Sequence, residues 1–510
     1  LDINTNPAVP QNATAELLLP PIIYQMTNGT SQDYRVIWKM TQDMVSVNAD
    51  NASQIWEKHG YPLSSDVGGV IWRMTYVDLG LNLENLIADA VKNEKYEYAG
   101  IGYAIKAWAY QMTTDMHGPI ILDEAFDKNL LKYPYHDQPK VYERVREWGN
   151  LAIKYLNMTG PVSYASNLSG PSGDYMYKGD RAKWKKFVYA LFALQYSHLK
   201  NKPEFKTQYA DSVVKYTDLS FANESESATV GFSAASASDS NPLGPFYGYL
   251  MASTSYYGRP STTIVQYLTG GLRGVPTPNP KTSVDPRLSR MLPATNVTSV
   301  LGQYIGVQPT SAAAPTGVVP VYGPLPAGSS VYFGKYIFAN AARYPIMTYS
   351  QLQMAKAEAL FHKGDKPNAY SAYINAIKGH VDFVNTYGRA STVPDPIITT
   401  TEMNTYLASS EIPQSAADLN IADIMGQKYI IQWGWAGLEQ WCDIRKYHYD
   451  PLVYRQFYQI PANTLNIPGK YAYRVRPRYN SEYVWNQEEL AKWGGLSPDY
   501  MTKETWFSQP

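Results

Sequence analysis

Cysteine is nearly missing: Cys442 is the only one in 510 residues. That excludes a disulfide framework and a cysteine-based zinc cluster. A surplus of charge is missing too, with 44 Lys+Arg against 44 Asp+Glu. Chains that bind through phosphate contacts need excess Lys and Arg, so nucleic acid is excluded as a main partner. No run of 18 uncharged apolar residues occurs, so no transmembrane helix is expected. The opening LDINTNPAVPQNAT is polar and lacks the character of a signal peptide, so an export signal is expected to be removed or absent.

Catalytic signatures are also scarce. The seven histidines form no H-x-H or H-E-x-x-H and have no close cysteine partner, which argues against catalytic zinc. No G-x-S-x-G elbow and no Walker A loop is present. Gly100-Ile-Gly102 lacks the third glycine of a dinucleotide loop and falls inside a helical pattern. Two carboxylate pairs could in principle serve a glycan hydrolase: Asp123 with Glu124, and Glu439 with Asp443 one helical turn apart. Arg445 and Lys446 follow the second pair directly, so Asp443 is expected in a structural ion pair. Cys442 is expected as a small buried hydrophobe.

What the chain has in abundance is tyrosine, 44 against 13 Phe and 12 Trp. Average usage would give about 15. Tyrosine joins an apolar plate to a hydrogen-bonding tip, which suits wet interfaces and the faces of sugar rings.

Apolar residues at steps of three and four predict helices over 97–116 (Ile101, Ile105, Trp108, Met112, Met116), 138–157 and 181–199. The first ends at His117-Gly118-Pro119. Ile120-Ile121-Leu122 reads as a strand fragment at most. Helices return at 347–387 around a Lys363-Gly364-Asp365 turn, and again near 418–436. Small residues in AEALFHKGDKPNAYSAYINAI point to a tetratricopeptide-like hairpin.

Residues 221–346 differ in kind, holding 11 charged residues, 14 of the 35 prolines and 13 of the 35 glycines. Tyrosines throughout argue against a disordered linker. Ordered, loop-rich structure with short β-hairpins is expected there. The tail after Pro451 reads as irregular.

Seven segments in order resemble the SusD/RagB family of cell-surface nutrient-binding lipoproteins of Bacteroidetes. They are LDINTNPAVP (1–10), WRMTYVDLGLNLENLI (72–87), YQMTTDMHGPIILDEAF (110–126), GDRAKWKKFVYALFALQYS (179–197), RPSTTIVQYL with DPRL (259–268, 285–288), PIMTYSQLQMAKAEALFHKGD (345–365) and IMGQKYIIQWGWAGLEQWCDIRKYHYDP (424–451). His117 stands where the family usually has an aromatic. The resemblance implies a mainly α fold in one domain spanning 1–510. Its scaffold would be about four tetratricopeptide-like hairpins within 67–219 and 347–436, beside a loop-rich, ligand-facing 221–346.

It also implies a non-catalytic protein without a cofactor, anchored by lipid in the outer membrane. Such a protein captures an oligosaccharide, or in some relatives a peptide, for a SusC-like TonB-dependent transporter. In the family the site lies where the loops after the first helix meet the central irregular portion. By position that is 48–66 (Asn48, Asp50, Asn51, Trp56, His59, Tyr61) and 246–259 (Tyr247, Tyr249, Tyr256, Tyr257, Arg259). Trp56 sits among turn formers without apolar periodicity, so exposure is expected there. Trp72 heads a helical stripe and is expected in the core.

Overall fold

The structure, a computed structural model, describes residues 13–46, 51–62, 64–246, 258–311 and 313–510. It is mainly α, with three two-stranded ladders among the described residues. The predicted helices appear at Tyr96–His117, Gln138–Leu156 and Arg181–His198. They pack as neighbours in sequence order and continue into Ala210–Leu219. Close approach depends on missing side chains: a Cβ on Gly100 would stand 2.5 Å from Leu156, and one on Gly149 2.5 Å from Phe192.

A second group comprises Tyr349–Lys363, Lys366–Tyr387, Ile421–Gln432 and Gly437–Lys446. Gly364 turns the first pair with φ +86°, a conformation open to glycine. Side chains of Asp137, Asp180, Thr348, Asp365 and Asn420 accept from backbone N–H groups at the starts of their helices. Each such cap contributes about 1 kcal/mol. The 418–436 pattern proves to be one helix ending at Gln432, with a separate helix beginning at Gly437.

One element went unpredicted. Ala15–Thr41 is a 27-residue helix, buried along most of its length, with Pro20 and Pro21 inside it. Leu19, Ile22, Ile23, Met26, Ile37, Trp38 and Met40 join a hydrophobic cluster that extends to Met501.

The loop-rich stretch is ordered over its described residues, but it forms no local β-hairpins among them. Its strands pair with distant segments instead. β4 (Ala228–Val230) pairs with β6 (Tyr344–Met347), closing the base of the stretch. β5 (Arg259–Pro260) pairs with β1 (Met44–Val45). Ile120–Ile121 is strand β2, paired with β3 (Tyr135–His136). The tail folds back on the scaffold: Val475 N donates to Met116 O at 2.9 Å, and Phe507 is buried beside Tyr142 and Cys442.

Candidate functional site

The β1–β5 ladder is antiparallel, with Met44 opposite Pro260 and Val45 opposite Arg259. In that register the chain leaving Val45 and the chain arriving at Arg259 share one end of the ladder. Ser46 and Gly258, the described residues that border the two segments singled out by sequence, therefore lie at the same end. Glu57, at the end of the Asn51–Glu57 helix, ties a third segment to them. Its buried carboxylate accepts from Ser46 N at 2.8 Å and from Thr310 N at 2.7 Å. Gln42 continues the brace, accepting from Thr263 Oγ1 at 3.0 Å and from Tyr458 N at 2.8 Å. Val321 N donates to Gly258 O at 2.9 Å.

Buried charge lies under this junction. Burial pushes the Glu57 carboxyl upward while Lys39 pulls it back. Burial lowers the Lys39 ammonium, and nearby Arg259 adds to that push. Arg259 itself is driven down to about 10 by burial. Its Nε and Nη1 have no hydrogen-bond partner among the described residues. A buried guanidinium short of partners carries an electrostatic cost.

The sequence-chosen residues separate into three sets. Asn48, Asp50, Tyr247, Tyr249, Tyr256 and Tyr257 lie outside the described residues, and Asn51 opens its short helix. Trp56, His59 and Arg259 are buried, which corrects the exposure expected of Trp56. The Trp56 indole is 1% exposed, with its tip where Gly68 leaves room: a Cβ there would stand 2.6 Å from the ring. His59 takes a left-handed backbone, and its Nδ1 accepts from Ala472 N at 3.2 Å. Its ring packs edge-on against Tyr449 and Tyr471, and burial holds its pKa down at about 3.

Tyr61 alone of the described set stands half-buried at a surface cleft, lined also by Ser64, Ser65, Arg476, Tyr479 and Tyr483. The Arg476 guanidinium lies 3.8 Å from the Tyr61 ring centroid and 5.2 Å from that of Tyr483. Tyr479 and Tyr483 stack in parallel at 5.4 Å. The cleft holds only about 10 Å³, room for a single water. Sequence reasoning missed Arg476, Tyr479 and Tyr483 because they sit in the irregular tail. The available signal was the alternation of Arg and Tyr in RVRPRYNSEY.

The carboxylate pairs are otherwise engaged. Asp443 receives Lys428 and Lys446 ammonium groups, each at 2.8 Å, and all three are buried. Glu439 meets His198 at 2.9 Å. Asp123 pairs with Arg144 at 2.8 Å and Glu124 with His136 at 2.7 Å. Among the described residues, Asp115, His198 and Cys442 come close enough together to share a metal. Their chemistry does not favour one. Tyr142 and Gln111 donate to both oxygens of Asp115, and the Arg445 guanidinium sits on the Cys442 sulfur at 3.1 Å. Cys442 is fully buried, and Trp72 is buried in contact with Tyr76, Tyr135 and His117, as expected. His117 fills its aromatic position as a ring against Trp72, with Nδ1 at 2.9 Å from Val475 O.

A family model described as "Starch-binding associating with outer membrane" matches residues 7–474. Among solved structures, the chain is similar to a SusD/RagB family protein from Bacteroides thetaiotaomicron. The identity is 20%, 98% of this chain and 99% of that one are covered, and the TM-score is 0.72. It is also similar to a chitin-binding protein at 16% identity, 97% and 99% coverage and TM-score 0.70. A chitin-binding SusD homologue from Flavobacterium johnsoniae aligns at 17% identity, 97% and 96% coverage and TM-score 0.64. At these identities the structural likeness establishes the fold. No curated protein matches the chain.

Proposed function

The chain belongs to the SusD-like family, described as starch-binding and associating with the outer membrane, and from that membership we propose that it captures neutral oligosaccharides where the loops beyond β1 and before β5 meet. The observation that supports the reading is the β1–β5 register, which sets the chain after Val45 and the chain before Arg259 at one end of the ladder. Both segments contain tyrosine, whose flat apolar plate and hydroxyl tip suit a sugar ring and its hydroxyls. Zero net charge fits a neutral ligand. Chitin binding by two relatives of the same fold supports a glycan over a peptide. In this reading the protein is held at the outer membrane by a lipid and hands its ligand to a SusC-like TonB-dependent transporter, with no chemical step of its own.

The test is a printed array of neutral plant, fungal and host glycans, maltohexaose and chitohexaose included, with a peptide pool as control. Calorimetry on the best ligand then follows. Saturable binding to one glycan class is expected, weakened at least tenfold (about 1.4 kcal/mol) by Tyr61→Ala or Tyr257→Ala. Binding to peptides alone would overturn the glycan assignment.

A further inference from the structure

A second groove, away from the β1–β5 junction, carries an aromatic surface that the proposed site does not use. It holds about 370 Å³ and is lined by Pro20, Pro21, Tyr24, Tyr175, Phe232 and Asp239, among others. That volume falls within the range of small-ligand pockets. One wall is the Ala15–Thr41 helix at its two prolines. Proline has no N–H, so the carbonyls of Glu16 and Leu17 lose their partners four residues on and are released from the helical ladder.

The opposite wall is the loop that leaves β4. Here Asp239 accepts from Ser233 Oγ, and its backbone carbonyl accepts from Ala234 N at 2.8 Å. Those bonds fix the carboxylate at the groove's edge. Tyr175 is 38% exposed although tyrosine here is otherwise mostly buried or half-buried. Gly231 lets the wall lie close on Arg343: a Cβ would stand 2.6 Å from its guanidinium, which is engaged by Thr229 Oγ1 at 2.7 Å.

No Lys or Arg lines the groove among the described residues. An anionic ligand would therefore meet Asp239 in the lining, while the nearest guanidinium, Arg343, is held behind Gly231 by Thr229. Flat rings, two prolines and one fixed carboxylate instead match a neutral polyol, whose ring faces stack and whose adjacent hydroxyls donate to a carboxylate. We propose that this groove is a second saccharide-binding site. The proposal rests on the glycan reading of the first site and extends it. Tyr24 and Thr41 lie on one helix, which puts the two sites about 25 Å apart along its axis. A polysaccharide long enough to reach both would bind the second intramolecularly, and avidity could gain about 100-fold or more without any new contact.

The test follows hydrogen exchange of the full chain with maltohexaose and with chitohexaose, alongside the array. Protection is expected at 228–240 as well as near 44–61. Tyr175→Ala, which removes an exposed ring, is expected to lower affinity for long arrayed polysaccharides about 100-fold. Tyr175→Phe keeps the ring and should keep the affinity. Tyr61→Ala should leave the protection at 228–240 in place. Protection near 44–61 alone, with Tyr175→Ala binding polymers like the wild type, would overturn the second site and leave the first standing. Protection of 228–240 by the peptide pool alone would overturn its saccharide assignment. Binding of no arrayed glycan would overturn both sites together.

Discussion

Trp56 and Tyr61 sit close together in the chain, yet the fold gives them opposite settings. Trp56 turns inward, its indole against Gly68, whose φ of +85° already restricts what could replace it. Tyr61 stays half-out, under Arg476. Removing a buried indole costs the lost transfer energy and the cavity left behind, about 3–5 kcal/mol in such cores. Trp56→Ala should therefore lower the urea midpoint sharply, whereas Tyr61→Ala should leave it within about 1 kcal/mol and act on ligand binding. A Trp56→Ala variant as stable as the wild type would contradict the burial. From sequence the two residues look alike, because both stand among turn formers in NASQIWEKHGYPLSS. The difference arises from Gly68, beyond the next loop, and from Val475, remote in sequence, which together supply the wall that covers the indole. No local pattern encodes that wall.

At the scale of elements, the legible helices were those whose apolar residues recur at steps of three and four. Tyr96–His117, Gln138–Leu156 and Arg181–His198 each show their apolar stripe, and a breaker or cap marks their ends. Ala15–Thr41 went unread because Pro20 and Pro21 stand inside it and act as breaker signals, although most of its length is buried. What locks the second helical group is invisible to periodicity. Glu358 lies on Tyr349–Lys363, Lys428 on Ile421–Gln432, and Asp443 and Lys446 on Gly437–Lys446. The four are at most 1% exposed as residues, and Lys446 Nζ sits 2.8 Å from both Glu358 and Asp443. Two cations and two anions close on themselves, with Tyr447 OH donating to Glu358 at 2.8 Å. Removing one member leaves a buried charge without its partner, at a cost of about 3–5 kcal/mol. Lys446→Met should show that loss in urea unfolding at neutral pH. A loss below 1 kcal/mol would mean that the ions are solvated or independent.

Across the whole molecule, the buried titratable groups pull stability in two directions. Burial holds His59 at about 3, and His117 and His362 at about 4. Each is neutral when folded and protonated when unfolded between about pH 4.5 and 6.5, so each makes stability fall as pH falls. Burial raises Asp33, Asp43 and Glu224 to about 7. Each is protonated when folded and ionised when unfolded in the same window, so each makes stability fall as pH rises. His380, held well below its ordinary value, and Glu411, raised to about 7, add one group to either side. A fully buried group contributes about 1.4 kcal/mol per pH unit, so the two sets oppose each other, and burial raises Asp115, Glu57 and Glu482 on the acid side as well. Asp43→Asn removes one opposing slope while keeping an acceptor for Gly434 N, which reaches Asp43 Oδ2 at 3.2 Å. Relative to the wild type, its stability should then gain about 1.4 kcal/mol for each unit that pH rises, and His59→Gln should tilt the curve by a similar amount the other way. Urea unfolding at pH 4.5, 5.5 and 6.5 distinguishes the three proteins, and parallel curves for all of them would mean that neither Asp43 nor His59 titrates differently in the folded chain.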